Sequence, residues 1–188
     1  MTSTAENGRS EHGDLTGRIL DAARRLVLQS GMRKLSLTEV AAVAGVSRQS
    51  IYRYFLSKEE LIDALGRHEH RRFNLAMEQA IEGLAGPARL EAALDVVATV
   101  LRDQPPRHVV DLEPRFAHEQ IVGALPMITV ALVGVLRQCQ DDGMNLVAAP
   151  RDIAAAIART VLSHYSFPDN DGAAARRQIR AIVGLPTG

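Results

Sequence analysis

The 188-residue sequence has no tryptophan, seven Phe and Tyr together, and one cysteine. A lone Cys139 cannot close an internal disulfide and suits a reducing cytosol. Lysine is scarce, with Lys34 and Lys58 the only two, so arginine carries nearly all the positive charge. No basic N-terminal start runs into an apolar stretch, which argues against a secretory signal. The longest uncharged apolar segment, Ile121 to Leu136, is interrupted by Gly123 and Pro126. It falls short of the roughly 20 residues that a membrane helix needs. The expected location is therefore the cytoplasm, without a membrane partner. No stretch alternates apolar and polar residues long enough to read as a strand, and no internal repeat appears.

What is present is apolar residues at 46% and charged residues at 23%, the balance of a globular domain. The formal net charge is zero, yet it is unevenly spread. Residues 15–58 carry eight Lys/Arg against Asp21 and Glu39, net +6, while the segments on either side are net acidic. A basic lobe on an acidic body suits a module that meets a phosphate backbone.

Residues 1–13 are small, polar and aperiodic, and read as a disordered tail. Thr16 is the expected N-cap of a first helix with Ile19, Leu20, Ala23, Leu26 and Val27 on one face, stopped at Gly31. Ser36 and Glu39, three apart, form a capping box for a second helix that Gly45 closes. Ser47 caps a third. A long amphipathic helix follows over 58–84. Further helices are expected at 88–103, 106–122 (broken near Pro114), 126–141, 150–166 and 172–184, because proline and glycine punctuate the chain there. The fold class is all-α, with about nine helices.

The stretch Ser36 to Lys58 carries the functional signal. Two short helices joined by a tight turn, the second polar and basic, form the sequence image of a helix-turn-helix that enters the DNA major groove. At about 100° per residue, Ile51 and Phe55 turn toward Val40, Ala44 and Val46. Gln49, Ser50 and Arg53 then face outward, with Arg48, Tyr52 and Tyr54 on the flanks. Arginine matches guanine O6/N7 and glutamine matches adenine N6/N7. Flanking hydroxyl and guanidinium groups suit phosphate oxygens. Thr38, Ser47 and Lys58 are further candidates, Lys58 as a phosphate contact at the start of the next helix.

Residues 17–65 resemble the N-terminal domain of the TetR family of bacterial transcriptional regulators. The matching pattern is Ile19-Leu20-x-Ala22-Ala23, Gly31, Val40-Ala41-x-x-Ala44-Gly45-Val46-Ser47, and Ile51-Tyr52-x-Tyr54-Phe55-x-Ser57-Lys58-Glu59-x-Leu61. Ser36 stands where the family often has threonine, and both residues can cap. The resemblance implies a three-helix DNA-binding domain at 14–57, and a helical effector-binding and dimerisation domain at 58–188 with helix 58–84 as linker. It also implies that Tyr52 and Lys58 touch the DNA backbone, that the protein is a homodimer on a palindromic double-stranded operator, and that a small molecule releases it as a repressor. The effector itself cannot be carried over.

Weaker signals remain. Met77, Arg115, His118 and Met127 are candidate walls of an effector pocket, Arg115 and His118 beside Glu113 and the Pro114 break. Ile153, Ile157 and Val161 on one helix, and Ile179, Ile182 and Val183 on another, are candidate dimer-interface residues; packing onto the chain's own core is the other reading, and both can hold because each helix has more than one apolar side. His68 and His70, two apart, lack the spacing of a metal pair. Asp169-Asn170-Asp171-Gly172 lacks the spaced acids of a calcium loop and reads as a turn. Cys139 is expected to be a buried, inert thiol. No nucleophile–base pair, phosphate loop or metal cluster points to an enzyme or a cofactor. The competing readings are a DNA-binding or architectural protein without an effector, and, further off, a helical enzyme or metal-dependent module.

Overall fold

A computed structural model describes residues 3–102, 114–166 and 173–185, with side chains described for 15–99, 122–164 and 173–185. Among the described residues there are eight helices and no strand. They are α1 Ser3–Ser30, α2 Leu37–Ala44, α3 Arg48–Tyr54, α4 Lys58–Ile81, α5 Gly86–Arg102, α6 Pro114–Asp141, α7 Pro150–Ser166 and α8 Ala174–Ile182.

Two expectations about helix ends are corrected. Residues 3–13, expected as a disordered tail, are helical, and α1 does not begin at Thr16. Once the amphipathic turns after Leu15 are formed, adding residues to the helix N-terminus avoids the costly nucleation step, so a weakly helical segment can follow. The break expected at Pro126 is absent, and α6 runs through it. Proline there removes the N–H that would bond the Val122 carbonyl. Both Val122 and Pro126 lie on the exposed side of α6, where water can satisfy that group. The helix expected over 106–122 falls partly outside the described residues, and α6 begins at Pro114, where a break was expected.

The chain divides into two compact units, Met1–Arg71 with Pro105–Phe116, and Arg72–Gln104 with Ala117–Gly188, so that one division falls inside α4. The first unit buries Ile19, Leu20, Ala23 and Val27 of α1, Val40 and Ala44 of α2, Ile51 of α3, and Leu61 and Leu65 of α4. Arg24 pairs with Glu69 at 3.1 Å, and His68 meets Asp21 at 3.2 Å, fastening the first half of α4 to α1.

The second unit is built on apolar faces at helical spacing. Leu90, Ala93, Leu94 and Val97 of α5, Ile128, Leu132, Val135, Leu136 and Cys139 of α6, and Ile153, Ile157 and Val161 of α7 form its core. By length and composition alone, Val122–Asp141 could cross a membrane, because α6 continues past Arg137 in one piece. Its Ile128, Leu132 and Leu136 are instead fully buried in this core. The opposite face leaves Val122 and Val130 exposed.

A polar clasp joins the α5 start to the α6 end. The Gly86 N–H donates to Asp142 Oδ2 at 2.8 Å, and the Arg89 guanidinium donates to the same oxygen. The Cys139 thiol donates to the Gly86 carbonyl at 3.3 Å. A carboxylate at a helix N-terminus is favoured by the unpaired N–H groups there. Ion pairs of Glu91 with Arg180, and of Asp95 with Arg176, tie α5 to α8 at the surface.

The six candidate interface residues are accounted for by this core. Ile153, Ile157, Val161, Ile179 and Val183 are at most 3% exposed, and Ile182 packs against the same cluster. Helical periodicity reveals an apolar face but not which neighbour covers it, and α5 and α8 of the same chain pack against α7.

A candidate nucleic-acid interface

The site is assembled from capped helix ends. Ser36 has extended backbone angles (φ −134°, ψ 146°), and its Oγ accepts from the Glu39 N–H at 3.2 Å while its hydroxyl donates to Glu39 Oε2 at 2.9 Å. This hydroxyl–glutamate exchange fixes the start of α2. Gly45 then takes φ +67°, a left-handed angle that side chains disfavour. Its turn lets the Val46 N–H reach back to the Ala41 carbonyl at 3.0 Å, closing α2 in a Schellman-type cap. Ser47 opens α3 in the same manner as Ser36, its Oγ accepting from the Ser50 N–H at 3.0 Å. Ser57 repeats the device for α4, accepting from the Glu60 N–H at 3.1 Å, while Glu60 accepts from the Leu56 N–H at 2.8 Å.

Orientation of α3 follows from which side is apolar. Ile51 and Phe55 are buried against Val40 and Ala44. The opposite side must then face solvent. Arg48, Gln49, Tyr52 and Arg53 are exposed, and Ser50 and Tyr54 are half-buried. The arrangement of outward and inward residues agrees with the sequence reading, except that Tyr54 packs against the core.

Several of the candidate groups have partners within the protein. The Arg48 guanidinium donates to Thr38 Oγ1 at 3.0 Å, linking α3 to the first turn of α2. The Ser47 and Ser50 hydroxyls lie 2.8 Å apart. The Arg53 guanidinium sits over the Tyr54 ring, 5.9 Å from its centre, within cation–π range. Lys58 Nζ donates to the Arg33 carbonyl at 3.0 Å, which places its ammonium beside Arg33 and Lys34. The Glu59 carboxyl, in the first turn of α4, is held below its usual range, first by its own backbone N–H and then by Ser57.

Sequence reading missed Arg18. Its guanidinium reaches from α1 to donate to the Ala44 carbonyl at 2.9 Å, at the end of α2. Nothing in the pattern around Arg18 signals a partner 26 residues away. The Ser57–Glu60 pair did carry a signal, the same serine-to-glutamate spacing as Ser36 and Glu39.

The remaining candidates sit elsewhere. Met77 is buried in the core of the second unit and Met127 packs against it. Arg115 and His118 lie on α6 outside the described side chains, and residues 169–172, expected as a turn, lie outside the described residues. Cys139 is fully buried, and burial pushes its thiol above the ordinary range. Among the described residues no cluster of three His, Cys, Asp or Glu could hold a metal.

The family described as bacterial regulatory proteins, tetR family, matches residues 19–65, the segment just built. This chain carries a TetR-family helix-turn-helix domain. An uncharacterized HTH-type transcriptional regulator of Mycobacterium tuberculosis is 38% identical over 89 residues, 47% of this chain and 44% of that protein. The HTH-type transcriptional repressor LfrR of Mycolicibacterium smegmatis is 36% identical over 80 residues, 39% of this chain and 41% of LfrR. The similarity thus spans less than half of each relative. Solved structures match over nearly the whole chain. A TetR transcription regulator from Haloarcula marismortui superposes with a TM-score of 0.71 at 19% identity, covering 92% of this chain and 97% of that one. SmeT in complex with triclosan gives 0.61 at 21% identity, covering 89% and 90%. These superpositions show a shared fold.

Proposed function

We propose that this protein is a homodimeric transcriptional repressor of the bacterial cytoplasm, released from a near-palindromic operator by a small-molecule effector, and that it is not an enzyme. The observation that carries the reading is the exposed side of α3, where Arg48, Gln49, Tyr52 and Arg53 stand out from a helix whose other side is buried. A helix presented in this way, with a basic surround, fits the major groove. Thr38, Ser47, Arg48, Gln49, Ser50, Tyr52, Arg53, Tyr54 and Lys58 form the DNA-contacting set. Two such helices would lie one helical turn of DNA apart, or a multiple of it. Residues 58–188 are the effector-binding and dimerising part, with helix 58–84 as linker. Similarity to a repressor, LfrR, supports the sign of regulation. The likeness in fold to SmeT, solved with triclosan, supports an organic effector.

An effector shifts such an equilibrium only by its difference in affinity for the two states. The test is selection of DNA fragments from the source genome on the purified protein, near physiological salt. Recovery of one or a few palindromic sites is expected. Lys58→Ala should weaken every sequence alike and flatten the salt dependence, as the loss of a phosphate contact does. Recovery without any enriched sequence would remove the regulatory reading.

A further inference from the structure

The outward side of α3 divides into two stripes. Residues four apart on a helix lie one above the other, so Arg48 aligns with Tyr52 and Gln49 with Arg53. The first stripe is already engaged, because Arg48 donates to Thr38 Oγ1 at 3.0 Å and is thereby drawn toward α2. Ser50 is engaged as well. Its N–H donates to Ser47 Oγ, and its hydroxyl lies 2.8 Å from that same oxygen. Gln49 is exposed, and its amide has no hydrogen bond within the described protein. The Arg53 guanidinium rests over the Tyr54 ring. A stacked guanidinium keeps its N–H donors while losing rotational freedom.

We infer that operator sequence is read by Gln49 and Arg53 alone on this helix, through an adenine and a guanine in each half-site, while Arg48 and Thr38 act as one sequence-neutral clamp on a phosphate. This inference rests on the repressor reading above. A glutamine amide pairs in two-pronged fashion with adenine N6/N7, and an arginine guanidinium with guanine O6/N7. Four residues at a rise of 1.5 Å place the two Cα atoms about 6 Å apart along the helix. With about 3.4 Å per base step, the adenine and guanine fall within about two base pairs of each other. The hydroxyl of Thr38 accepts from Arg48 and retains its own proton, so the pair can offer both a hydroxyl and guanidinium N–H groups to one phosphate. Phosphate contacts fix register without carrying sequence information.

The experiment is selection from a randomised duplex library on the full-length protein and on Gln49→Ala, Arg53→Ala, Gln49→Arg and Arg48→Ala, each first checked for wild-type helical signal and melting temperature. Wild type should enrich a palindrome with the adenine and guanine at that spacing. Gln49→Ala should lose preference at the adenine alone, and Arg53→Ala at the guanine alone, each weakening the matched site by roughly tenfold or more. Gln49→Arg should exchange adenine for guanine at one position, a change no loss of folding can produce. Arg48→Ala should weaken matched and random duplexes by the same factor. An enriched wild-type site whose preferences survive Gln49→Ala and Arg53→Ala, or a base preference lost with Arg48→Ala, would overturn the inference and leave the regulator reading standing. Absence of any enriched wild-type site would overturn both.

Discussion

The guanidinium of Arg18 donates to the carbonyl of Ala44, joining the first helix to the last residue of the second at 2.9 Å. The carbonyls of a last helical turn lack intrahelical partners and carry the negative end of the helix dipole. A cation there both caps the helix and fixes where the turn begins. Arg18→Met should therefore destabilise the protein by about 1.5–3 kcal/mol, the range of a hydrogen bond to a charged group. Arg18→Lys should recover part of this. Urea denaturation with a common slope measures both, and equal midpoints for Arg18→Met and wild type would refute the cap.

Gly45 sits next to that contact. A β-carbon placed there would meet Arg18 Nη2 at 3.6 Å, an ordinary van der Waals distance. The penalty for Gly45→Ala is thus conformational, set by φ +67°, at about 1–2 kcal/mol. Gly45→Asn should cost less, because asparagine tolerates left-handed angles. A thermal melt that ranks alanine above asparagine would contradict this.

Cys139 should resist alkylation in the folded protein and react at the rate of unfolding. Its thiol is lifted above the ordinary range chiefly by burial. The sign follows from linkage. The neutral thiol's contribution is complete below the unfolded pKa, about 8.5, and is lost as pH rises through the higher folded value. The stability difference between wild type and Cys139→Ala should therefore shrink, or change sign, between neutral and alkaline pH. A difference constant across that range would show that the thiol does not titrate differently on folding.

Leu132 and Leu56 should behave oppositely. Leu132 is fully buried in α6, and Leu132→Ala should cost about 2–5 kcal/mol through lost burial and a cavity. Leu56 lies in the turn between α3 and α4, inside the family pattern, yet it is 81% exposed. Leu56→Ala should change stability by less than about 0.5 kcal/mol. A denaturation midpoint for Leu56→Ala as low as that of Leu132→Ala would mean that the turn packs in solution.

The helix-turn-helix was legible because its determinants are local. Ser36 with Glu39, Gly45, and Ser47 each act within four residues, and the burial of Ile51 and Phe55 follows from a 3.6-residue period. The clasp of Asp142 on Gly86 and Arg89 was illegible, since it joins residues more than fifty apart. The same limit explains Arg18. Pro126 misled because a proline marks a missing N–H, whereas the outcome depends on what solvates the freed carbonyl. Ile153, Ile157 and Val161 were legible as an apolar face, but such a face is silent about whether its cover is the same chain or another. For the candidate interface, the sequence named the outward residues. Which of them are already held by neighbours, as Arg48 is by Thr38, needed three dimensions.

Serine opens three successive helices, at positions 36, 47 and 57, and each time its oxygen takes the amide three residues on. Helices of eight and seven residues are too short to persist alone in water. Caps that close within one turn lower the barrier to starting each one before any distant segment arrives. The order of assembly is then local first, with few long loops to close. For this unit we expect refolding on the microsecond-to-millisecond scale typical of small helical domains, with serine-to-alanine changes at the caps slowing it wherever that helix is formed at the rate-limiting step.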